Sequence, residues 1–294
     1  MALRPGSKIR ARVRVVSDGE ERRRGDYLAT EEPLEIRLTG GGHGERLAVT
    51  MRTPGNDFEL AAGFLHGEGV VAAREQVRRI SYCSDPELDA AQQYNVVSVE
   101  LAGGAVPDLR GLERHFYTSS ACGVCGKASL DAIELRGCPL PPAGPQVSAE
   151  VLYRLPERLR EAQGLFESTG GLHAAGLFTP EGALECLRED VGRHNAVDKL
   201  VGWALLRGEL PLTDRILLVS GRASFEIMQK ALAAGVPIVC AVSAPSSLAV
   251  DVAERFGMTL AGFLRGRRFN LYAGHDRIEP LTAGAQAPQT PQKR

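Results

Sequence analysis

Two cysteines spaced two residues apart carry the most reactive chemistry in this sequence. Cys122 and Cys125 lie in "TSSACGVCGKAS", residues 118–129, among glycines, serines and alanines. A CxxC pair can form half of a zinc site, act as a redox dithiol or carry sulfur. The small residues on both sides predict an exposed loop, where one thiolate could receive a group in one place and deliver it in another. The nearby cation of Lys127 favours the thiolate form.

The rest of the sequence argues against a metal for this pair. A structural zinc site needs four ligands, commonly from two such knuckles, and the remaining cysteines and the six histidines form no second knuckle. A thioredoxin-like dithiol usually begins a helix directly after a strand, which this segment of small residues does not favour. The purely structural interpretation, two small residues in a turn, stays open.

Three segments of the C-terminal half have the composition of anion-binding turns. In "VSGRASFE", Ser220, Gly221, Arg222 and Ser224 stand where a predicted strand ends and a helix begins. Free backbone N–H groups and a guanidinium would meet there, which suits a phosphate. Ser224 could equally serve only as the helix cap.

Polar residues also crowd the start of the preceding predicted helix, in "REDVGRHNAVDKLVG". His194 and Asn195 in that segment are expected to line a cleft beside a sheet edge, with a solvated helix face as the alternative. A third cationic segment, "GFLRGRRFNLY", carries Arg265, Arg267 and Arg268 after a strand, and its alternative is a solvated basic turn. Together the three segments predict a phosphorylated ligand.

The elements that must position these residues form two unequal lobes. We expect a mixed α+β lobe with a strand hairpin over 31–55, a helix from Asn56 and a strand near 94–102. The later lobe alternates apolar strands with amphipathic helices, which predicts a largely parallel sheet covered on both faces. The predicted boundaries are a flexible N-terminal segment 1–29, the mixed lobe 30–137 that ends in the CxxC loop, a proline-rich linker 138–146, an α/β lobe 147–282 and a disordered tail 283–294.

Composition limits the function classes. The chain has 294 residues, is 44% hydrophobic and carries a formal net charge of -1, so no global basic field would hold nucleic acid or an anionic membrane. No signal peptide or membrane span is evident, and a cytoplasmic location is expected. Motifs for dinucleotide-binding dehydrogenases, P-loop NTPases and zinc deaminases are absent from the sequence.

The order of several segments resembles the formate dehydrogenase accessory sulfurtransferases, the FdhD/NarQ family. The resemblance covers about residues 30–280 and rests on "EEPLEIRL", "FELAAGFLHGEGVV", "CGVCG", "TGGLHAAG", "EDVGRHNAVDKLVG", "SGRASFEIMQKA", "APSSLAVDVAERFGMTLAGF" and "RFNLY". It implies an α/β fold with an α+β N-terminal lobe and a cytidine-deaminase-like three-layer arrangement, a sheet with helices on both faces, without the zinc motif. It also implies a homodimer.

The resemblance further implies a reaction. Family members accept sulfur from a cysteine desulfurase as a cysteine persulfide and pass it to the bis-molybdopterin guanine dinucleotide cofactor, which formate dehydrogenase needs for activity. Cys122 corresponds to the persulfide cysteine and Cys125 to a supporting thiol. The cofactor-binding stretch falls on Leu264, Arg265, Gly266, Arg267, Arg268 and Phe269, and Arg222, His194 and Asn195 are further candidates for that pocket. The protein would then be a sulfurtransferase without a metal of its own, with the desulfurase and the formate dehydrogenase catalytic subunit as partners.

Two other functions stay open at this point. A chaperone could carry the molybdenum cofactor without moving sulfur, in which case Cys122→Ala would leave formate dehydrogenase active. A zinc-dependent nucleoside deaminase is suggested only by the implied fold, and it would contain stoichiometric zinc.

Overall fold

The computed structural model describes residues 6–40, 43–83, 92–103 and 144–280. Cys122 and Cys125, most of the predicted linker 138–146 and the predicted tail 283–294 lie outside the described residues. The division into lobes at 30–137 and 147–282 therefore stays a prediction. In the described part, no helix combines the length and the apolar character that crossing a membrane requires.

The elements are numbered in chain order. The strands are β1 Lys8–Ser17, β2 Glu20–Ala29, β3 Glu32–Gly40, β4 His43–Arg52, β5 Val77–Tyr82, β6 Val96–Leu101, β7 His173–Phe178, β8 Leu184–Asp190, β9 Ile216–Val219, β10 Ile238–Ala241, β11 Thr259–Arg265 and β12 Arg268–Ala273. The helices are α1 Asp57–Gly67, α2 Ala149–Ala162, α3 Gly164–Thr169, α4 Arg193–Arg207, α5 Phe225–Ala233 and α6 Ser247–Arg255. The hairpin, the helix that follows it and the strand near 94–102 are confirmed, whereas β5 and β12 were not expected from the sequence.

The N-terminal segment forms a two-stranded ribbon instead of the flexible segment expected for residues 1–29. β1 and β2 pair antiparallel over their whole length, from Lys8 opposite Ala29 to Ser17 opposite Glu20. Asp18 and Gly19 connect them with φ values of 52° and 82°, as a two-residue hairpin turn of primed type requires. The strands form because charged and apolar residues alternate in β1, which is the period of an extended chain.

The second sheet has the strand order β4-β3-β6-β5 and is covered on one face by α1. Leu34, Ile36 and Leu38 alternate along β3 and are fully buried. They pack with Leu60 and Leu65 of α1 in one apolar core. The period of two in the strand and the helical spacing in α1 therefore bury matching faces.

The third sheet has the order β12-β11-β10-β9-β7-β8. Its three central strands, β9, β10 and β11, are parallel to one another. The outer pairs β7–β8, β7–β9 and β11–β12 are antiparallel, so the prediction of a largely parallel sheet is wrong. The chain returns through tight turns after β7 and β11, and such turns can join only antiparallel neighbours.

Helices cover both faces of this mixed sheet, as predicted. α4, α5 and α6 share one core with alternate residues of the strands, including Leu217 and Val239. α2 lies on the opposite face, where Leu152, Leu155 and Leu159 pack against the other alternate residues. The chain is therefore an α/β protein with mixed sheets.

The two larger sheets are joined through a close contact between α1 and α4. A Cβ atom at Gly63 would lie 1.8 Å from the carbonyl oxygen of Asp198, and one at Gly202 would lie 1.8 Å from that of Glu59. Only glycine fits at such distances, so the two helices touch backbone to backbone. Arg188 on β8 also binds both carboxylate oxygens of Glu59 on α1.

Candidate functional site

The central parallel strands end at one edge of the third sheet, and their turns lie side by side there. After β9, the carbonyl oxygen of Gly221 accepts a hydrogen bond from the Ser243 N–H, which follows β10. The carbonyl oxygen of Ser243 accepts one from the Phe263 N–H on β11. Ligands of open α/β sheets characteristically bind outside the carboxyl ends of the strands. We refer to this end of the sheet as the carboxyl edge.

β7 begins at the same edge because it runs antiparallel to β9. Ser220 fixes the alignment, since its backbone N–H donates to the Ala174 carbonyl oxygen and its hydroxyl accepts from the Ala174 N–H, both at 2.9 Å. This pairing places His173 beside Gly221, where a Cβ atom would lie 3.4 Å from His173 Nδ1. His173 therefore lies at the mouth of the β9 turn.

The N-terminus of α4 adds a second histidine and an arginine. His194 Nε2 lies 2.8 Å from Glu226 Oε2 and 3.2 Å from the Ser224 hydroxyl oxygen. The hydrogen bond from His194 lowers the pKa of Glu226 despite partial burial. Burial lowers the pKa of His173, and the charges of Arg193 and His194 lower it further against the opposing effect of Asp190. We call His173, Arg193, His194, Arg222, Ser224 and Glu226 the edge cluster.

Two arginines of the edge cluster retain unused donors. Arg222 is exposed and has neither a hydrogen bond nor an ion pair within the described part of the chain. The Nε atom of Arg193 is buried and also lacks a hydrogen-bond partner there. A buried guanidinium nitrogen without an acceptor is costly, and an anionic ligand would supply the acceptor.

Residues just behind the cluster hold α4 in place. Lys199 Nζ lies 2.7 Å from Asp190 Oδ2 and donates to the Thr53 carbonyl oxygen at 2.8 Å. The Asn195 amide donates to the Met51 carbonyl oxygen at 2.7 Å and to Asp190 at 3.0 Å. Asn195, a predicted ligand residue, is thus buried and engaged in connecting α4 to β4.

The predicted stretch 264–269 forms the hairpin between β11 and β12. Its apolar ends, Leu264 and Phe269, belong to the core around α2. Arg267 forms an ion pair with Glu150. The hairpin also projects from the carboxyl edge, because β11 is parallel to β9 and β10.

The remaining two arginines of the hairpin, Arg265 and Arg268, are partners in the strand pairing, so their side chains lie on one face. Both are exposed and have no ion pair with another described residue. The hairpin therefore contributes two further free cations to the edge that holds the cluster.

Phe263 is a site residue that the sequence reasoning missed. It has φ of 56°, a left-handed conformation that is uncommon for a residue with a side chain, and the residue is 43% exposed. Strained backbone of this kind concentrates at functional sites. The sequence signal was weak, since a phenylalanine after a glycine in an apolar strand reads as core. The small apolar residues around His173 are typical of a core histidine. Arg193 lies in the polar helix start noted in the sequence, and Glu226 gave no distinctive pattern.

Two of the three described cysteines, Cys186 and Cys240, are poor candidates for a reactive thiol. Burial raises the pKa of Cys186 and of Cys240 to about 12. Cys83 is half-buried on the second sheet. The described residues also contain no group of three or more histidine, cysteine or carboxylate side chains that could hold a metal ion. Cys122 and Cys125 lie outside the described residues, so their place relative to the edge cluster stays a prediction.

Comparison with known proteins agrees with this architecture. A solved structure, that of a formate dehydrogenase accessory protein from Desulfotalea psychrophila, matches with a TM-score of 0.71 at 25% identity over 92% of this chain and 99% of that one. The fold is thus that of a formate dehydrogenase accessory protein.

The FdhD/NarQ family model matches residues 29–279. The chain is 55% identical to the sulfur carrier protein FdhD of Streptomyces avermitilis, over 94% of this chain and 98% of that protein. It is 53% identical to the protein of the same name from Mycobacterium tuberculosis, over 91% and 97%. The chain belongs to the FdhD/NarQ family.

Proposed function

We propose that this chain is a sulfur carrier that supplies a formate dehydrogenase with a sulfurated cofactor. Cys122 takes a sulfur atom from a cysteine desulfurase as a persulfide and transfers it to bis-molybdopterin guanine dinucleotide, which the carboxyl edge holds. The cofactor then enters the formate dehydrogenase catalytic subunit. The names of the relatives, sulfur carrier protein FdhD, and the accessory role of the structural neighbour support this proposal.

The observation that carries the cofactor half is the set of free cations at the carboxyl edge. Arg222, Arg265 and Arg268 have no anionic partner among the described residues, although the whole chain has a net charge of -1. The N-termini of α5 and α6 face the same edge and add backbone donors. Guanidinium groups and helix N-termini are the donors that phosphate groups prefer. A guanine dinucleotide with several phosphates fits this donor set.

The state of the described cysteines supports the sulfur half. A thiol is a good nucleophile only as thiolate, and Cys186 and Cys240 are buried with a raised pKa. These two thiols are therefore unsuited to carry sulfur, and we assign that role to the pair at 122 and 125 on its CxxC spacing.

The first transfer is an exchange between sulfur atoms. The Cys122 thiolate attacks the terminal sulfur of the donor persulfide, the donor S–S bond breaks and the donor cysteine leaves as thiolate. Delivery of that sulfur as sulfide requires two electrons. The Cys125 thiol can supply them by closing a disulfide with Cys122, which releases the outer sulfur as hydrosulfide.

Intact mass spectrometry tests the sulfur half. The chain is incubated with a cysteine desulfurase and cysteine, and the wild type is compared with Cys122→Ala, Cys125→Ala and the control Cys138→Ala. A gain of one sulfur mass that a reductant reverses, lost in Cys122→Ala and kept in Cys138→Ala, is expected. A folded wild type that gains no sulfur from an active desulfurase would overturn sulfur transfer and favour a cofactor chaperone.

Nucleotide binding tests the cofactor half separately. GDP carries the guanosine and two phosphates of one half of the cofactor, so its affinity can be measured by calorimetry without molybdenum. Arg222→Gln, and Arg265→Gln with Arg268→Gln, should each weaken GDP binding about tenfold or more, because each removes charged hydrogen bonds. Arg78→Gln, an exposed arginine paired with Glu100 on the second sheet, is the control and should have no effect. Equal affinities in all variants would contradict the assignment of the carboxyl edge.

A further inference from the structure

The N-terminal ribbon has two unlike faces. Opposite residues in an antiparallel pair share a face, so the register of β1 and β2 assigns each side chain. One face carries five cations and a single carboxylate, a net charge of +4, from Lys8, Arg10, Arg12, Arg14, Arg23 and Glu21. The other face carries Arg22 and Arg24 against Glu20 and Asp26, with no net charge. We call the first the cationic face.

The cationic face is open to solvent. Its five basic residues are all exposed. Tyr27 on the same face is 45% exposed, with Lys8 Nζ 4.9 Å above its ring, and Val16 is 72% exposed. Only Arg14 has an ion pair within the described chain, a solvent-exposed one with Glu21 at 3.5 Å. The ribbon pairs with no other described strand, so this face is left uncovered by the described sheets.

The base of the ribbon lies beside the carboxyl edge. The Thr30 N–H donates to the Ser7 carbonyl oxygen at its base. The methyl group of Ala29 lies 4.0 Å from where a Cβ atom of Gly171 would be, two residues before His173 of the edge cluster. The ribbon then extends for ten residues per strand, roughly 34 Å. A partner bound along the ribbon is therefore brought to the mouth of the edge cluster.

We propose that the cationic face docks a carboxylate-rich surface of the formate dehydrogenase catalytic subunit. This rests on the proposed function, in which the edge cluster holds the cofactor that this subunit receives. The subunit that takes the cofactor must reach the carboxyl edge, and the ribbon is the charged surface rooted there. The family-model match begins at residue 29 and so leaves out β1 and nearly all of β2.

Charge favours an acidic protein surface over a nucleic acid. Residues 6–30 contain seven cations and four carboxylates, a net charge of +3, so the rest of the chain carries -4. A long polyanion such as a nucleic acid would be repelled by the negative charge of the rest of the chain. A small carboxylate patch would contact the ribbon alone. Polar and charged contacts of this kind mainly set the association rate and the choice of partner.

Two double variants with the same change of charge test the face. Arg10→Glu with Arg12→Glu reverses two charges on the cationic face, and Arg22→Glu with Arg24→Glu reverses two on the other face. Binding of the full chain to the immobilised apo catalytic subunit is measured by interferometry at low and high salt. The first variant should bind at least about tenfold more weakly, mainly through slower association, and the second should stay within about threefold of wild type. Wild-type affinity should fall with salt.

Control variants and alternative ligands distinguish the possible outcomes. Arg10→Lys with Arg12→Lys should bind like wild type, and far-UV circular dichroism with amide exchange confirms that each ribbon is folded. Equal weakening by both reversals would mean that total charge acts and would overturn the docking face. Face-dependent binding of a duplex DNA or of the cysteine desulfurase, without binding of the catalytic subunit, would overturn the proposed occupant. Sulfur loading of Cys122 should be unchanged in the reversal variants, so a failure of sulfur transfer leaves the ribbon test intact.

Discussion

Replacing Lys199 with methionine tests whether a buried ion pair holds the helix that carries the edge cluster. The side chains of Lys199 and Asp190 are 2% and 0% exposed, with Nζ 2.7 Å from Oδ2. The ammonium group also donates to the carbonyl oxygens of Thr53 and Glu189. Methionine preserves the length and much of the volume of the side chain but removes the charge, the ion pair and both hydrogen bonds. The variant therefore leaves a buried carboxylate without its cation.

The expected loss in the free energy of unfolding depends on the hydrogen-bond donors that remain around Asp190. Removal of one partner of a buried ion pair costs about 3–5 kcal/mol. Asp190 keeps three donors, the backbone N–H groups of Thr53 and Gly192 and the Asn195 amide, at 3.1, 2.8 and 3.0 Å. Because these donors still stabilise the carboxylate, we expect the lower end of the range, a loss of about 3 kcal/mol in the free energy of unfolding.

Urea unfolding measures this loss, followed by circular dichroism and by the fluorescence of the single tryptophan, Trp203 on α4. Arg78→Met breaks an exposed ion pair with Glu100 and should cost only about 0–1 kcal/mol. Lys199→Met combined with Asp190→Asn should cost less than the sum of the two single changes by about 1–3 kcal/mol. A Lys199→Met protein as stable as Arg78→Met, with additive double-variant costs, would refute the argument.

Four further outcomes follow from the structure. Gly202→Ala should lower the free energy of unfolding by about 3 kcal/mol or more, since its methyl group would overlap a backbone carbonyl of α1. Phe263→Ala should weaken GDP binding by about one order of magnitude if the exposed ring stacks on the guanine. Glu226 has a lowered pKa, so its ionised form stabilises the fold above the ordinary value of 4.5, and this stabilisation is lost as pH falls through the lowered pKa. The stability difference between wild type and Glu226→Gln should thus shrink below pH 4.5. Iodoacetamide at mild alkaline pH should spare Cys186 and Cys240 in the folded chain, because burial raises the pKa of both to about 12.

Each of these outcomes has a matched comparison. Gly164→Ala adds a methyl group in open space at the start of α3 and should leave stability nearly unchanged. Leu28→Ala removes an exposed apolar side chain on the ribbon and should leave GDP affinity unchanged. A constant Glu226→Gln difference from pH 7 to pH 3 would contradict the ionic role. Rapid alkylation of Cys240 without unfolding would show that the thiol is accessible.

Local periodicity was enough to predict much of the fold. Apolar residues at every second position of β3, and at helical spacing in α1, define faces that can be buried only against each other. The strand-to-helix turn after β9 was also predictable, because glycine, serine and arginine follow an apolar strand, and its binding of an anion stays a proposal. Those patterns depend only on neighbours in the sequence.

Features that depend on distant neighbours were not predictable in the same way. The antiparallel pairing of β7 with β9 joins residues that are 38 to 44 positions apart in the sequence, and it was not foreseen, so the sheet was taken as largely parallel. Asn195 looked like a ligand residue because polar side chains at a helix start suit a cleft, yet it donates to the Met51 carbonyl oxygen on β4, more than a hundred residues away. The ribbon was not predicted because its many charged residues suggested a flexible segment. The alternation of charged and apolar residues in β1 and the Asp18–Gly19 turn are nevertheless typical of a hairpin.

The glycine contact between α1 and α4 limits how the molecule can work. Gly63 and Gly202 leave no side chain between the helices, so sliding one helix over the other would open a gap that no side chain fills. The two larger sheets thus form one stiff frame, unlike enzymes that close two domains over a substrate. Under the proposed function, the cofactor and the partner proteins would then bind to a platform that keeps its shape.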